Sequence, residues 1–140
     1  MVVLPEQHPL ASNTTLSLPD LLDQPLVIFP RRIVPSLYDA IFAMYHAAGQ
    51  LPRVAQEAIQ MQTIVNLVSA GLGVAWVPQS VRQFQRPGVV YRSLPAPTGR
   101  PSARSGAWSA TVAVPECETS LVWPGASANP ALARFMAFID

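Results

Sequence analysis

The chain has no lysine, one cysteine and two histidines in 140 residues. Each scarcity closes a class of chemistry. A lone Cys117 makes no internal disulfide and no cysteine metal cluster. Nothing around it in sequence would lower its pKa, so it reads as an inert thiol in or beside a strand. His8 precedes Pro9 in a loop-like stretch, and as a metal ligand it would need partners the sequence does not supply. There is no HExxH, no CxxC, no phosphate loop and no Ser-His-Asp set with a nucleophile elbow. Only 12% of residues are charged, and Asp39 and Glu57 do not form a marked carboxylate pair. Catalysis is therefore not expected, nor is any cofactor or metal. All nine basic residues are arginines, scattered except for Arg31-Arg32. A surface that tracks phosphates needs a basic stripe, so these residues are not expected to bind nucleic acid by themselves. No apolar run is long enough to span a bilayer. Met1 to Leu4 is cut short by Pro5-Glu6 and is no signal peptide, which leads to the expectation of a cytoplasmic protein without membrane contact.

Half of the residues are hydrophobic, enough for one globular domain or two small lobes. The most informative stretch is QEAIQMQTIVNLVSAGLGVAWVPQS, residues 56–80. Met61, Ile64, Val65, Val68 and Leu72 recur at helical spacing, with Gln62, Asn66 and Ser69 on the other side. Gly71 stands where a left-handed cap ends a helix. Val74 to Val77 is apolar without alternation, as in a strand covered on both faces, and Pro78 ends it. The same rhythm occurs earlier. Leu26 to Phe29 predicts a buried strand cut by Pro30. Pro35 to Ala48 predicts a helix burying Leu37, Ile41, Met44, Tyr45 and Ala48, with Asp39, His46 and Gln50 facing away. Arg53 to Glu57 predicts the next strand, and the strand-helix-strand-helix-strand order implies parallel crossovers.

Around this core the signals are shorter. Val2 to Leu4 taken alone reads as an edge strand, and Leu16 to Leu22 as a turn-like or short helical connection with Pro19 suited to the first helical position. GVVYRSL, residues 88–94, predicts a strand. Residues 95–117, rich in Pro, Ala, Ser and Gly, read as a loop, in which Trp108 and Thr111 to Val114 could add a small strand. Glu118 to Trp123 predicts a strand. Asn129 and Pro130 then open a helix with a packed stripe of Leu132, Phe135, Met136 and Ile139.

EAIQMQTIVNLVSAGLGVAWVPQSV followed by GVVYRSL resembles the effector-binding domain of LysR-type transcriptional regulators. LSLPDLLDQPLVIFPRRIVPSLYDAI upstream, and ETSLVW and NPALARFMAFI downstream, resemble other segments of that domain, in family order. The resemblance implies an α/β fold: a lobe like that of type 2 periplasmic binding proteins with a mostly parallel sheet, plus a remnant of a first lobe. It divides the chain into a crossover strand at 1–5, lobe two at 6–87, a return crossover at 88–94, the loop at 95–117, and a strand and helix of lobe one at 118–140. It also implies that a DNA-reading helix-turn-helix and half of lobe one lie outside these residues, so that the chain looks like a fragment. DNA contact would come only through that missing module. The full-length protein would be a homo-oligomer.

Two strand ends lead directly into helices, at Phe29-Pro30-Arg31-Arg32 and at Glu57-Ala58-Ile59-Gln60. In open parallel sheets ligands sit at such ends, where unpaired N–H groups and the helix dipole favour a carboxylate. Arg31 or Arg32 could add a bidentate fork, Gln60 a neutral partner, and Pro35, Leu37 and Met61 apolar wall. The resemblance implies the same place, with Phe29, Pro30, Arg31, Pro35, Leu37, Gln60 and Met61 bordering the cleft between lobes. Leu37 and Met61 equally fit plain core positions, and the arginines fit solvated charges. The implied function is the sensing of a small inducer, of which a carboxylate is the expected class. A stand-alone solute-binding protein and a small enzyme on the same fold are the rival readings.

Overall fold

Val2, Val3 and Leu4 are wholly buried, a consequence of where their strand lies. In the computed structural model, which describes residues 1–94, 114–116, 120, 122 and 129–139, β1 (Val2–Pro5) is the middle strand of three. It pairs antiparallel with β4 (Ala75–Trp76) on one side and with β5 (Val89–Arg92) on the other. The edge position expected for this short run is therefore incorrect. Both partners lie far along the chain, beyond the reach of local pattern, and Pro5 sits at the end rung opposite Val89. Burying three aliphatic side chains so completely is worth about 1.5–3 kcal/mol each before entropy is counted.

A second pair is parallel: β2 (Leu26–Ile28) against β3 (Val54–Glu57), with Leu26 opposite Val54 and Ile28 opposite Glu57. The two sheets meet at Val74. It bridges to Leu26 in parallel, its N–H donates to Pro25 O at 2.8 Å, and its carbonyl accepts from the Val27 N–H at 2.8 Å. The strands thus follow the spatial order β3-β2-β4-β1-β5. β2, β3 and β4 run the same way and β1 runs against its neighbours. This is the α/β lobe that the resemblance implied, parallel across β3, β2 and β4 and antiparallel on either side of β1. The apolar run from Val74 to Val77 is buried throughout, as expected of a strand covered on both faces.

The helices fill the crossovers. α1 (Leu18–Leu22) starts one residue earlier than expected, with Pro19 at its second position and Ser17 Oγ accepting from the Asp20 N–H at 3.3 Å. α2 (Pro35–Ala47) buries Ile41, Met44 and Tyr45, while His46 and Asp39 are exposed and Leu37 is half-buried. Gln50 departs from the solvent-facing expectation: its Oε1 is buried without a hydrogen-bond partner among the described residues. α3 (Met61–Ser69) buries Ile64, Val65 and Val68. Leu72 lies past its end and is exposed, because Gly71 at φ +85° has already turned the chain. α4 (Pro130–Ile139) begins at Asn129, whose Oδ1 accepts from the Ala131 N–H at 3.0 Å. Leu132 and Met136 are half-buried, but Phe135 is half-exposed, so the expected stripe is only partly covered. The side chain of Ile139 lies outside the described residues. So do the strand expected over 118–123, apart from Ser120 and Val122, and the small strand at 108 and 111–114, apart from Val114; none of these three is in a strand.

Gly73 holds the junction together by having no side chain. At φ +152°, a Cβ there would stand 2.2 Å from Pro25 O, the carbonyl that accepts from Val74. Gly71 also has positive φ, +85°, but a Cβ there would meet open space. Gly73→Ala is therefore expected to destabilise by on the order of 3 kcal/mol or more, strain and overlap adding. Gly71→Ala should cost only about 1 kcal/mol, the backbone term alone. Urea unfolding of the two variants at equal concentration checks the order.

Candidate ligand site at the carboxyl edge of the sheet

The parallel pairing of β2 and β3 brings their carboxyl ends side by side. The Ala58 N–H donates to Ile28 O at 3.0 Å, so Phe29-Pro30 runs beside Ala58-Ile59 as the two chains leave the sheet. Each then leads into a helix, β3 through Ala58-Ile59-Gln60 and β2 through the longer turn of residues 29–34. Val34 stands at the N-cap of α2 and Gln60 at that of α3, and neither helix start has a side-chain cap hydrogen bond. Both expected strand ends and both helix starts are thus gathered on one edge.

The eight residues singled out in the sequence divide by depth. Phe29 and Pro30 are buried and form the floor of the edge. Phe29 meets Tyr38 edge-on at 6.4 Å between ring centroids, and Tyr38 stacks on Phe42 at 4.3 Å. Leu37 and Met61 are half-buried and pack against the core, so they serve both as wall and as core. Arg31, Arg32, Pro35 and Gln60 are exposed. Arg31 is not an idle fork. Its Nε and Nη2 donate to Asp39 Oδ1 and Oδ2, both at 2.7 Å. Asp39 does face away from the core as expected, but toward Arg31, a pairing that helical spacing alone does not reveal.

Sequence reasoning missed a cavity of about 370 Å³ along the same edge. It is lined by Leu37 and Ile41 of α2, by Trp76, Val77 and Pro78 at the end of β4, and by Met1 at the start of β1. Gln79, Val114, Pro115 and Glu116 complete the lining. Of the eight expected residues only Leu37 reaches it. The available signal was VAWVPQ itself: a third parallel strand must end on the edge where the other two end. The indole N–H of Trp76 donates to Tyr45 Oη at 3.4 Å, tying β4 to α2 behind the cavity. Burial pushes the Tyr45 hydroxyl up in pKa, against the opposing effect of that bond. Among the described residues no cluster of three His, Cys, Asp or Glu could hold a metal ion, and no helix is long and apolar enough to cross a membrane.

A model of the LysR substrate binding domain family matches residues 1–140. The chain belongs to this family. It is 41% identical over 124 residues to the HTH-type transcriptional regulator IlvR of Caulobacter vibrioides, covering 89% of this chain and 36% of that one. It is 38% identical over 94 residues to the regulator CatR of Pseudomonas putida, covering 67% and 32%. Among solved structures it is similar to the BenM effector binding domain with its effector benzoate. The TM-score there is 0.60 at 27% identity, over 70% of this chain and 45% of that one. The chain spans about a third of the length of the curated relatives it matches.

The Arg31–Asp39 pair is open to water on both sides, so it adds little to stability. Its mark is on titration. Hydrogen bonding from Arg31 holds the Asp39 carboxyl below the ordinary carboxylate range. A depressed folded-state pKa gives stability that is present above the unfolded value and lost as pH falls through the folded one. Arg31→Met should therefore raise the Asp39 pKa toward the ordinary value and remove this contribution. Carboxyl-carbon NMR titration of the two proteins measures it.

Proposed function

We propose that this chain is the inducer-sensing part of a LysR-type transcriptional regulator, and that it binds a small carboxylate metabolite at the carboxyl edge of its sheet. One observation carries the reading: two helices start side by side on that edge, from adjacent parallel strands, with no side-chain caps. Their free N–H groups and dipole ends favour an anion. The likeness to the BenM effector domain, whose solved structure holds benzoate, supports a small carboxylate as the class.

In this reading Gln60 and the first turns of α2 and α3 supply hydrogen bonds, and Pro35, Leu37 and Met61 supply wall over the floor of Phe29 and Pro30. Arg31 and Arg32 supply positive charge, Arg31 in competition with Asp39. Residues 1–5 and 88–94 are the crossovers to another lobe, and 6–87 the sensing lobe. α4 belongs with the other lobe, while the loop and strand expected over 95–123 fall largely outside the described residues. DNA is read by a helix-turn-helix elsewhere in the regulator, which works as a cytoplasmic homo-oligomer. The inducer acts by binding two arrangements of that assembly with different affinity. No reaction is catalysed and no cofactor is needed.

The test is calorimetry on a complete regulator carrying this chain, with the carboxylate that gives the largest thermal shift in a screen. Arg31→Ala should weaken binding by about 1.5–3 kcal/mol, the scale of a hydrogen bond to a charged group, and toward the lower figure because Asp39 already holds the fork. Gln60→Ala should cost about 0.5–1.5 kcal/mol. His46→Ala, on the exposed far side of α2, should bind as the unaltered protein does. Normal binding by both Arg31→Ala and Gln60→Ala would remove these residues from the site.

A further inference from the structure

We propose that His8 is the acid-sensitive half of a latch that holds residues 8–14 beside the strand pair β1–β5. The neutral imidazole caps the short 3-10 turn at Pro9–Ala11, and a protonated one lets it go. The latch does not depend on what the sheet edge binds.

The Leu10 backbone N–H lies 3.2 Å from His8 Nδ1. A backbone N–H only donates, so Nδ1 must offer its lone pair, and a neutral ring then carries its proton on Nε2. The next contact requires a proton there: Nε2 is 3.3 Å from Gln24 Oε1. Gln24 is oriented in turn by its own Nε2, which donates to Asp20 O at 3.0 Å. Every donor in this chain of bonds meets an acceptor in one tautomer of His8 and in no other. The turn depends on it. Pro9 has no N–H, and the Ala11 N–H already donates to His8 O at 2.8 Å. Nδ1 is the acceptor for the Leu10 N–H, and Leu10 packs against the core.

A second proton turns Nδ1 into a donor that faces a donor. The Leu10 N–H then loses its partner, while the Nε2 bond to Gln24 survives. The ring is half-buried, so protons from solvent reach it. The charged side chains on the segments around it are Glu6 after β1, Asp20 and Asp23 at α1, Arg53 bonded to the Asp23 carbonyl, and Arg92 on β5. Among the described residues His8 forms no ion pair with any of the carboxylates. Arg92 is the other half of the latch. Its guanidinium donates to the carbonyls of Ala11 at 3.0 Å, Asn13 at 2.8 Å and Thr14 at 3.2 Å. Arginine keeps its charge throughout, so this grip does not change with pH. Acid therefore frees the start of the segment and leaves its end tied to β5.

Nitrogen NMR of the isotope-labelled protein tests this, titrated from about pH 8 to about pH 5, the range in which histidine changes charge. At the alkaline end His8 should be a single tautomer with its proton on Nε2. A scalar coupling should join His8 Nδ1 to the Leu10 amide nitrogen across the hydrogen bond. At the acid end that coupling should be lost and the Leu10 amide signal shifted, with the midpoint of the His8 ring's own titration, while the Arg92 guanidinium signals hold their places. His8→Asn offers a capping acceptor that does not titrate, so its Leu10 amide should lose the pH-dependent shift. His46, exposed on α2, supplies the control: its titration should leave Leu10 alone. The proposal is overturned if the proton sits on Nδ1 at the alkaline end, or if the Leu10 signal and coupling pass unchanged through the His8 titration. It is equally overturned if His8→Asn reproduces the pH response of the unaltered protein. The tautomer and the coupling are read on the unaltered protein, so they decide the matter even where the variant fails to fold.

Discussion

The carbonyl of Pro25 is the joint on which this lobe turns. It accepts the Val74 N–H at 2.8 Å, and Gly73 passes so close that a Cβ would stand 2.2 Å away. With the return bond from the Val27 N–H to Val74 O, this contact locks the β2-β3 pair to the three strands centred on β1. Only then do β2, β3 and β4 share a direction and end on one edge. The helix starts, the arginines and the cavity beside Trp76 all lie there because of that alignment. A side chain at Gly73 would push apart two sheets, not merely strain one turn.

The edge that results has two chemistries side by side. Its outer part is polar: uncapped helix starts, Gln60, and an arginine already partnered by Asp39. Its inner part mixes apolar side chains with polar groups, Gln79 and Glu116 among them, and Trp76 there is held by Tyr45. Leu37 touches both.

Much of this was legible in the sequence, for reasons that differ by element. α2 and α3 were readable because their buried residues repeat at helical spacing within a few turns, and Gly71 marks where α3 must stop. The run from Val74 to Val77 was readable because a strand covered on both faces needs no alternation. Taken alone, Val2 to Leu4 read as an edge strand because it carries no sign of partners in β4 and β5, which the chain supplies only much later. The Arg31–Asp39 bond escaped because a loop residue's direction depends on how the turn before α2 is packed. The cavity escaped for the same kind of reason. Its walls come from Met1, Leu37, Trp76 and Val114, which only the fold brings together.

Native-state amide exchange at Val27, Val74 and Val3 tests the joint most directly. If the Pro25–Val74 contact makes one sheet of two, the amides of Val27 and Val74 should be as protected as that of Val3 and should open with it, at the free energy of global unfolding. Exchange at Val27 and Val74 that is orders of magnitude faster than at Val3, with β1 still protected, would mean that the two sheets open separately. The shared edge would then not be a rigid platform for a ligand.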